Sequence, residues 1–345
     1  MKQKRNYFAL ILAVFCCVAV MYVCTVIGVA NIPFGDANRI LLHELFHMDV
    51  DISDISRGSI SIICNVRLPR ILMGFITGAA LAICGAGYQG IFRNPMADPY
   101  VLGVSSGASL GASIGIVLNF STGILGLNGT TLLAFAGSLG TIVLVYSISR
   151  IGKRVPVSTL LLSGIAVNLT LSALQSLIML LNQQSMDVIM RWSMGSLNGK
   201  GWNQVVTVLP YVIVGICILL SSSRDLDIML TGEDTAMQLG VNVEYQKKKI
   251  LFASSILTAA VISVTGVIGF VGLVVPHVVR IFAGPKHKTL MIYSILFGGM
   301  FLVICDTVAR SLITQEIPVG IITSLCGGPF FLYLLRKSKR GGTFS

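Results

Sequence analysis

The chain has 345 residues, of which 54% are hydrophobic and only 11% are charged, whereas a soluble domain has about 25% charged residues. This composition excludes a soluble globular protein, because too few charges are present to cover its surface. The net charge of +11 comes from short Lys and Arg clusters between apolar runs. Such clusters are typical of membrane topology and not of a nucleic-acid-binding face.

Ten apolar runs follow one another along the chain, and each can supply the roughly 20 helical residues that a bilayer core requires. They predict an all-α integral membrane protein with a single transmembrane domain over residues 1–345. Only Gly266 and its neighbours divide spans seven and eight. The predicted spans are 7–30, 64–91, 100–118, 124–149, 157–182, 203–222, 246–265, 267–283, 289–308 and 317–335.

The distribution of Lys and Arg predicts the orientation of these spans. The first run follows Lys2, Lys4 and Arg5. It exceeds the roughly 7–15 apolar residues of a signal peptide, so we expect an uncleaved anchor. With the N-terminus in the cytoplasm, most of the 25 Lys and Arg residues lie inside, as the positive-inside rule requires. Both termini are then cytoplasmic, with an extracytoplasmic loop at about 31–63 and the longest cytoplasmic loop at about 223–245.

Small residues recur at helical spacing in span three. Gly103, Gly107, Gly111 and Gly115 are each separated by four residues. Helices in lipid associate mainly where small residues allow their backbones to approach closely. The spacing therefore predicts tight packing of span three against a neighbouring helix.

Two glycine-rich motifs resemble nucleotide-binding sequences but lack the required context. Residues 85–90 match G-x-G-x-x-G, yet they lie late in an apolar helical run and have no acidic residue about 20 positions later. Residues 195–200 resemble a phosphate-binding loop that is one residue short, and Gly201 stands where Ser or Thr would hold magnesium. We therefore expect no nucleotide site in this chain, and we predict that it holds neither a cofactor nor a metal.

His43, Glu44 and His47 form an H-E-x-x-H sequence, the zinc-protease signature. On a helix the two imidazoles would share a face and bind zinc, with the glutamate as general base. The motif lies in the predicted extracytoplasmic loop, and no span offers an obvious third ligand. We interpret it as part of an amphipathic surface helix and keep a membrane zinc protease as an alternative function.

Charged residues are almost absent from the middles of the spans. Asp306 and Arg310, four residues apart near the outer end of span nine, can pair on one helix face. Ion-coupled transporters tend to keep acids or histidines at the membrane midplane, so this absence argues against a proton- or sodium-driven carrier. A sodium site made of carbonyl oxygens would escape this test, so an ion-coupled secondary transporter stays a second alternative.

Span five carries a polar stripe. Asn168, Ser172, Gln175, Met179 and Asn182 follow steps of four and three, so they share one face of a helix. Uncharged polar side chains in a span either tie helices together by hydrogen bonds or line a water-filled cavity. The number of amide and hydroxyl groups favours the cavity.

The long cytoplasmic loop contains a short helix signal between Thr231 and Gly240. Its acidic residues and Thr235 suit a helix start, and Gly240 suits a helix end. We predict a short helix at the inner surface, which is either a plain interfacial helix or a docking element for another protein.

A series of motifs runs from about residue 65 to the C-terminus. They are Val66-Arg-Leu-Pro-Arg70, Gly78-Ala-Ala-Leu-Ala, Asn94-Pro-Met-Ala-Asp-Pro99, Leu102-Gly-Val-Ser-Ser-Gly107, Leu160-Leu-Leu-Ser-Gly164, Gly266-Val-Ile-Gly-Phe-Val-Gly-Leu-Val-Val-Pro-His277, Asp306-Thr-Val-Ala-Arg310, Glu316-Ile-Pro-Val-Gly320 and Gly327-Gly-Pro329. In this order they resemble the FecCD-type permeases of bacterial ABC importers for iron–siderophore complexes, haem and vitamin B12.

The resemblance implies the architecture of a type II ABC importer permease, with ten spans arranged as inverted repeats in the bacterial cytoplasmic membrane. The translocation path would lie between two subunits, which are either a homodimer or close paralogues, surrounded by membrane lipid. Separate ATPase subunits carrying ATP and Mg would bind inside, and a solute-binding protein would dock outside. The chain itself would not be an enzyme, and no nucleic acid would bind.

The resemblance also implies roles for individual residues. Three arginines would meet acidic residues of the binding protein, five residues would belong to the ATPase-coupling helix, four would line the path and two would lie near its cytoplasmic gate. The cargo would be an iron–siderophore complex, or haem or cobalamin. The docking arginines would be Arg67, Arg70 and Arg310, and the coupling residues would be Ala236, Met237, Gln238, Leu239 and Gly240. The path residues would be Asn168, Ser172, Gln175 and Met179, and the gate residues would be Ser158 and Thr159.

Overall fold

The computed structural model describes residues 2–341 of the chain, except 29, 31, 121–127, 153 and 313–315. Across these residues the chain is helical and contains no β-strand. The helices of the first half are α1 (Lys2–Val26), α2 (Phe34–Phe46), α3 (Arg57–Ser61), α4 (Leu68–Phe92), α5 (Val104–Val117), α6 (Gly129–Ser149), α7 (Val157–Leu181) and α8 (Met186–Ser193).

Short turns also lie in the first half, and seven further helices follow among the described residues of the second half. A π-helical turn, Ile62–Arg67, joins α3 to α4, and a 3-10 turn, Pro99–Leu102, precedes α5. The helices are α9 (Trp202–Ser221), α10 (Ser223–Met229), α11 (Glu233–Gln238), α12 (Val243–Thr265), α13 (Val271–Ala283), α14 (His287–Ser311) and α15 (Val319–Gly341).

In the part of the chain that the structure describes, ten apolar helices correspond to the ten predicted spans. Seven are long and apolar enough to cross a membrane, and α5, α13 and α15 supply three shorter apolar segments. The predicted start of span four at 124 lies outside the described residues. With 14 and 13 residues, α5 and α13 are only about 21 and 20 Å long, less than the roughly 30 Å of a bilayer core. Spans three and eight are therefore helical over only part of their predicted lengths.

The missing α-helical length of these two spans is replaced by the 3-10 turn before α5 and by irregular backbone before α13, and both segments lie inside the bundle. The segment before α5 and the segment before α13 meet each other, and the Tyr100 hydroxyl donates a hydrogen bond of 2.7 Å to the carbonyl oxygen of Ile268. A Cβ placed on Gly272 would lie 2.8 Å from Pro99 and 2.9 Å from the carbonyl oxygen of Leu81, in the middle of α4. Backbone that is not α-helical is tolerated at membrane depth where protein buries it or where it lines a cavity.

The helices pack in two sets that repeat one arrangement. α4 packs against α13 and α14, while α12 packs against α5 and α6. Within each set, α5 contacts α6 and α7, and α13 contacts α14 and α15. These matching contacts are expected if α4–α7 and α12–α15 are two copies of one motif, as in transporters with inverted repeats.

Glycines on α4 and α5 explain why these helices can lie so close to their neighbours. A Cβ on Gly111 would lie 2.1 Å from the carbonyl oxygen of Leu133 on α6, which confirms the predicted packing of span three. The glycines of the G-x-G-x-x-G sequence of α4 also allow close approach of neighbouring helices. A Cβ on Gly85 would lie 1.8 Å from the carbonyl oxygen of Gly272, and one on Gly90 would lie 2.7 Å from the ring of His287.

Candidate functional site

Most of the surface of α7 is not covered by the other residues that the structure describes. Its buried residues are Leu160, Ser163, Gly164 and Val167, which all lie in its first half. The polar stripe follows that half: Asn168, Gln175 and Met179 are half-buried and Ser172 is exposed. The structure therefore brings the four predicted path residues onto one incompletely covered helix.

A cavity of about 460 Å³ lies beside this stripe. The Gln175 side-chain amide donates a hydrogen bond of 2.9 Å to the Ser193 hydroxyl at the end of α8, and Ser193 is part of the cavity wall. The end of α8, the irregular segment before α13 and the first turns of α15 form the wall. The lining side chains are uncharged; they include Ser193, Met194, Val267, Gly269, Gly320 and Ser324.

The sequence prediction missed the contributions of α8, α15 and the segment before α13 to this wall. One signal was available, because substrate sites of transporters are commonly formed where membrane helices are interrupted. Gly266 and Gly269 interrupt the apolar run between spans seven and eight, and the structure places that interruption at the cavity.

The predicted gate residues lie in the first turn of α7. Ser158 is exposed and Thr159 is half-buried. The preceding connection from α6 ends at Val155 and Pro156, and the Val155 backbone N–H donates a hydrogen bond of 3.2 Å to the Glu244 carboxylate on α12. The beginning of α7 is therefore attached to the beginning of α12.

At the opposite end of the molecule, two of the predicted docking arginines bond to the last turn of α1 and the residues after it. Arg67 donates hydrogen bonds to the carbonyl oxygens of Thr25 (3.2 Å), Val26 and Ala30 (2.6 Å). Arg310 donates to the carbonyl oxygen of Cys24. The final carbonyls of a helix have no partner within the helix and carry partial negative charge, so cations stabilise this end.

The third arginine, Arg70, is neutralised within the chain. It forms two hydrogen bonds of 2.9 Å with Asp306 on α14 and bonds of 3.0 and 3.1 Å with Glu316, before α15. The predicted pair of Asp306 with Arg310 is longer, at 4.0 Å. Asp306 therefore binds chiefly to an arginine on a different helix.

Burial bears directly on the docking role of these arginines. Arg67, Arg70 and Arg310 are only 3%, 6% and 4% exposed, so in this conformation none offers its charge to a partner protein. Their contact with a binding protein stays a prediction, and it requires these groups to become exposed. The exposed arginines at this end include Arg57 and Arg191.

Two more bases lie at this end of the chain. Arg39 donates hydrogen bonds to Asp54, which hold the pKa of that carboxyl below its usual range. Partial burial lowers the pKa of the Lys200 ammonium. Arg39 is therefore paired with an acid, and Lys200 is partly withdrawn from solvent.

The loop opposite the arginines contains two short helices, α10 and α11, which we call the coupling unit (residues 223–241). Its small core consists of Met229, Ala236 and Val241, together with Val243 at the start of α12. Of the five predicted coupling residues, only Ala236 is buried. Met237, Gln238, Leu239 and Gly240 are exposed. The unit thus presents two apolar side chains, 48% and 64% exposed for Met237 and Leu239, on a packed base.

Acidic residues attach the coupling unit to the spans. Asp227 accepts a hydrogen bond of 2.8 Å from the backbone N–H of His287, the first residue of α14. The same carboxylate lies 2.7 Å from the Nδ1 of the His287 ring. An acid is favourable there because helix N-termini carry partial positive charge. Asp225 contacts Gln246, and Glu233 pairs with Lys247 at 2.8 Å. The unit is thereby joined to both α12 and α14.

Comparison with known proteins decides the family. The model of the FecCD transport family matches residues 11–337. The chain belongs to the FecCD transport family. This FecCD chain is 48% identical to the cobalamin import system permease protein BtuC of Halobacterium salinarum, over 81% of its own length and 74% of the relative's. It is 42% identical to the hemin transport system permease protein HmuU of Yersinia pestis, over 80% and 83% of the two lengths.

A solved structure agrees with this assignment. An inward-facing transporter described as a metal-chelate type ABC transporter has a TM-score of 0.82 and 30% identity with the FecCD chain. The match covers 95% of this chain and 99% of that one. The chain is therefore a transmembrane permease with the fold of ABC importer permeases, as its sequence motifs predict.

The structure does not show the continuous helix that the zinc-protease alternative requires. In the FecCD chain, α2 ends at Phe46, and His47 follows it in a left-handed conformation with φ of 51°. His43 and His47 therefore do not lie one turn apart on a continuous helix, as the zinc motif requires. No group of three or more His, Cys, Asp or Glu side chains with metal-binding geometry occurs among the residues that the structure describes.

Replacing both His43 and His47 by Ala is expected to leave the rate of ligand uptake unchanged. Neither residue is among the predicted path, gate or coupling residues, and both lie in the segment between α1 and α4. The measurement compares uptake by two sets of proteoliposomes, one with wild-type and one with variant permease in equal folded amounts, each with the partner proteins that uptake requires. A lower rate at equal folded protein would contradict this assignment.

Proposed function

We propose that this chain is the permease subunit of an ABC importer and that two such subunits, identical or paralogous, enclose the translocation path. The observation that carries this proposal is the incompletely covered face of α7, with its polar stripe beside a cavity. A path bounded on one side by protein needs a second wall, and a second permease subunit supplies the same polar surface. The path then lies along the interface of the pair.

The energy source of this importer lies outside the chain. We assign ATP and Mg to separate ATPase subunits that bind at the coupling unit, where Met237 and Leu239 are exposed on a packed base. The side chains around the cavity are uncharged, which supports this assignment over an ion-coupled carrier with acids at the midplane. The Lys and Arg distribution supports an orientation with this unit and both termini in the cytoplasm.

The other end of the permease is then extracytoplasmic and receives a loaded solute-binding protein. We propose that the cargo is a metal chelate, either an iron–siderophore complex, haem or cobalamin. The relatives BtuC and HmuU are named as permease proteins of a cobalamin import system and a hemin transport system. A neutral wall suits bulky chelates, because it offers few strong contacts that would prevent release.

Reconstitution tests this function. Proteoliposomes would contain the permease with its ATPase subunits, with binding protein outside and ATP inside, and uptake of radiolabelled ferric siderophore, haem and cobalamin would be compared. We expect uphill uptake of one chelate that requires ATP and is unaffected by proton and sodium ionophores. Uphill uptake without the ATPase, abolished by an ionophore, would refute the proposal in favour of ion coupling.

A further inference from the structure

A lysine at the inner end of α12 is enclosed by two carboxylates from different elements. Lys247 is only 8% exposed. Its ammonium lies 2.8 Å from the Glu233 carboxylate, on the first residue of α11, and 3.4 Å from the Glu244 carboxylate on its own helix. A lysine this buried requires charged partners, because an unpaired ammonium is costly to remove from water.

The second carboxylate continues the connection towards the gate. One oxygen of Glu244 contacts Lys247, and the other accepts the hydrogen bond from the Val155 backbone N–H at 3.2 Å. Val155 is buried and immediately precedes Pro156, after which α7 begins. Ser158 and Thr159, the predicted gate residues, follow within one helical turn.

These contacts form one continuous chain from the coupling unit to the path helix. Glu233, Lys247, Glu244 and Val155 belong to α11, α12 and the α6–α7 connection. The other polar contacts of the coupling unit lead elsewhere: Asp227 binds His287 on α14, and Asp225 contacts Gln246 on α12. Among the described residues, the Lys247 chain is therefore the polar connection from α11 that reaches the beginning of α7.

We propose that Lys247 is a positioning residue that transmits movement of α11 to the cytoplasmic gate at the beginning of α7. This proposal rests on the proposed function, in which ATPase subunits bind and displace the coupling unit. An ion pair between α11 and α12 allows the two to move together, and Glu244 passes that movement to the backbone at Val155. Without Lys247, α11 moves with the ATPase while the gate does not follow.

The test compares Lys247→Met with wild type in proteoliposomes containing the ATPase subunits and binding protein. ATP hydrolysis and chelate uptake are measured on the same vesicles. We expect hydrolysis to persist while the amount of chelate imported per ATP falls about tenfold, within the usual range of coupling between two sites. A merely structural role for Lys247 would instead reduce both rates together, in proportion to the loss of folded complex.

Glu233→Gln provides a second variant, because its partly exposed side chain can change without disturbing the fold. It weakens the pair with Lys247 and should also lower import per ATP. The matched control is Lys249→Met, which removes a positive charge from the same helix. The side chain of Lys249 contacts Ser221 and not the Glu233–Lys247–Glu244 series. Lys249→Met should import as much chelate per ATP as wild type. Lys247→Arg, which retains the charge, should do the same.

The outcomes separate this inference from the proposed function. If wild type imports in strict dependence on ATP while Lys247→Met and Glu233→Gln keep the wild-type ratio, transmission through Lys247 is refuted and the importer assignment stands. If wild type itself imports without the ATPase, the proposed function is refuted. An equal loss of import per ATP in the Lys249→Met control would also overturn the assignment to Lys247.

Discussion

Replacing Arg70 with Met is expected to lower the free energy of unfolding by about 3–5 kcal/mol, the usual cost of leaving a buried charge without its partner. Asp306 has a side chain that is only 2% exposed, and Arg70 supplies both of its short hydrogen bonds. Arg310 is the remaining cation nearby, at 4.0 Å. The measurement is the thermal unfolding midpoint of the purified permease in detergent.

Two further variants show whether the effect comes from the buried pair. Adding Asp306→Asn to Arg70→Met should recover a substantial part of the lost stability, because the uncompensated carboxylate is then absent. Arg39→Gln removes an arginine from an exposed pair with Asp54 and should leave the midpoint nearly unchanged. If Arg70→Met unfolds at the wild-type temperature but loses affinity for the binding protein, the arginine acts in docking and the structural role is wrong.

Replacing Gly85 with Ala is expected to disrupt the contact between α4 and α13. The new methyl group would lie 1.8 Å from the carbonyl oxygen of Gly272, and backbone cannot move aside as a flexible side chain can. Overpacking of a well-packed interior usually costs about 1–3 kcal/mol. Because the clash is with backbone, we expect the loss at Gly85 to reach at least the upper end of that range. The unfolding midpoint and the yield of monodisperse protein measure it.

Gly140→Ala is the matched control for this substitution. Gly140 lies inside α6, and among the described residues no atom beyond its chain neighbours and the adjacent backbone of its own helix lies within 4 Å of the position that its Cβ would occupy. Alanine also favours helix by about 1 kcal/mol relative to glycine, so this variant should be as stable as wild type or slightly more stable. Equal stability of Gly85→Ala and Gly140→Ala would show that α4 and α13 are less closely packed than the structure indicates.

The span prediction succeeded where a single stretch of sequence carries the information. Long apolar runs must form helices in lipid, because no water is present to bond the backbone groups. The same reasoning failed for parts of spans three and eight. There the irregular backbone around Tyr100 and Ile268 is satisfied by contacts between the two segments, which lie 168 residues apart. Apolar composition alone could not reveal such partners.

Charged residues show the same division. The sequence predicts that Asp306 and Arg310 can pair because helical spacing is a local property. Arg70, however, binds Asp306 from a position 236 residues away, and this contact exists only when α4 packs against α14. The burial of Arg67 and Arg310, and hence their availability to a partner, likewise depends on how the C-terminal end of α1 packs beside them.

The sequence by itself determined the ten apolar helices, the predicted orientation and the family, because apolar length, charge distribution and ordered motifs are properties of the linear chain. The tertiary structure decided which side chains of α7 stay uncovered, which charges are neutralised and which contacts join Glu233 through Lys247 and Glu244 to Val155. Those properties depend on contacts between distant segments, since the cost of burying a polar or charged group is set by the partners that folding brings to it.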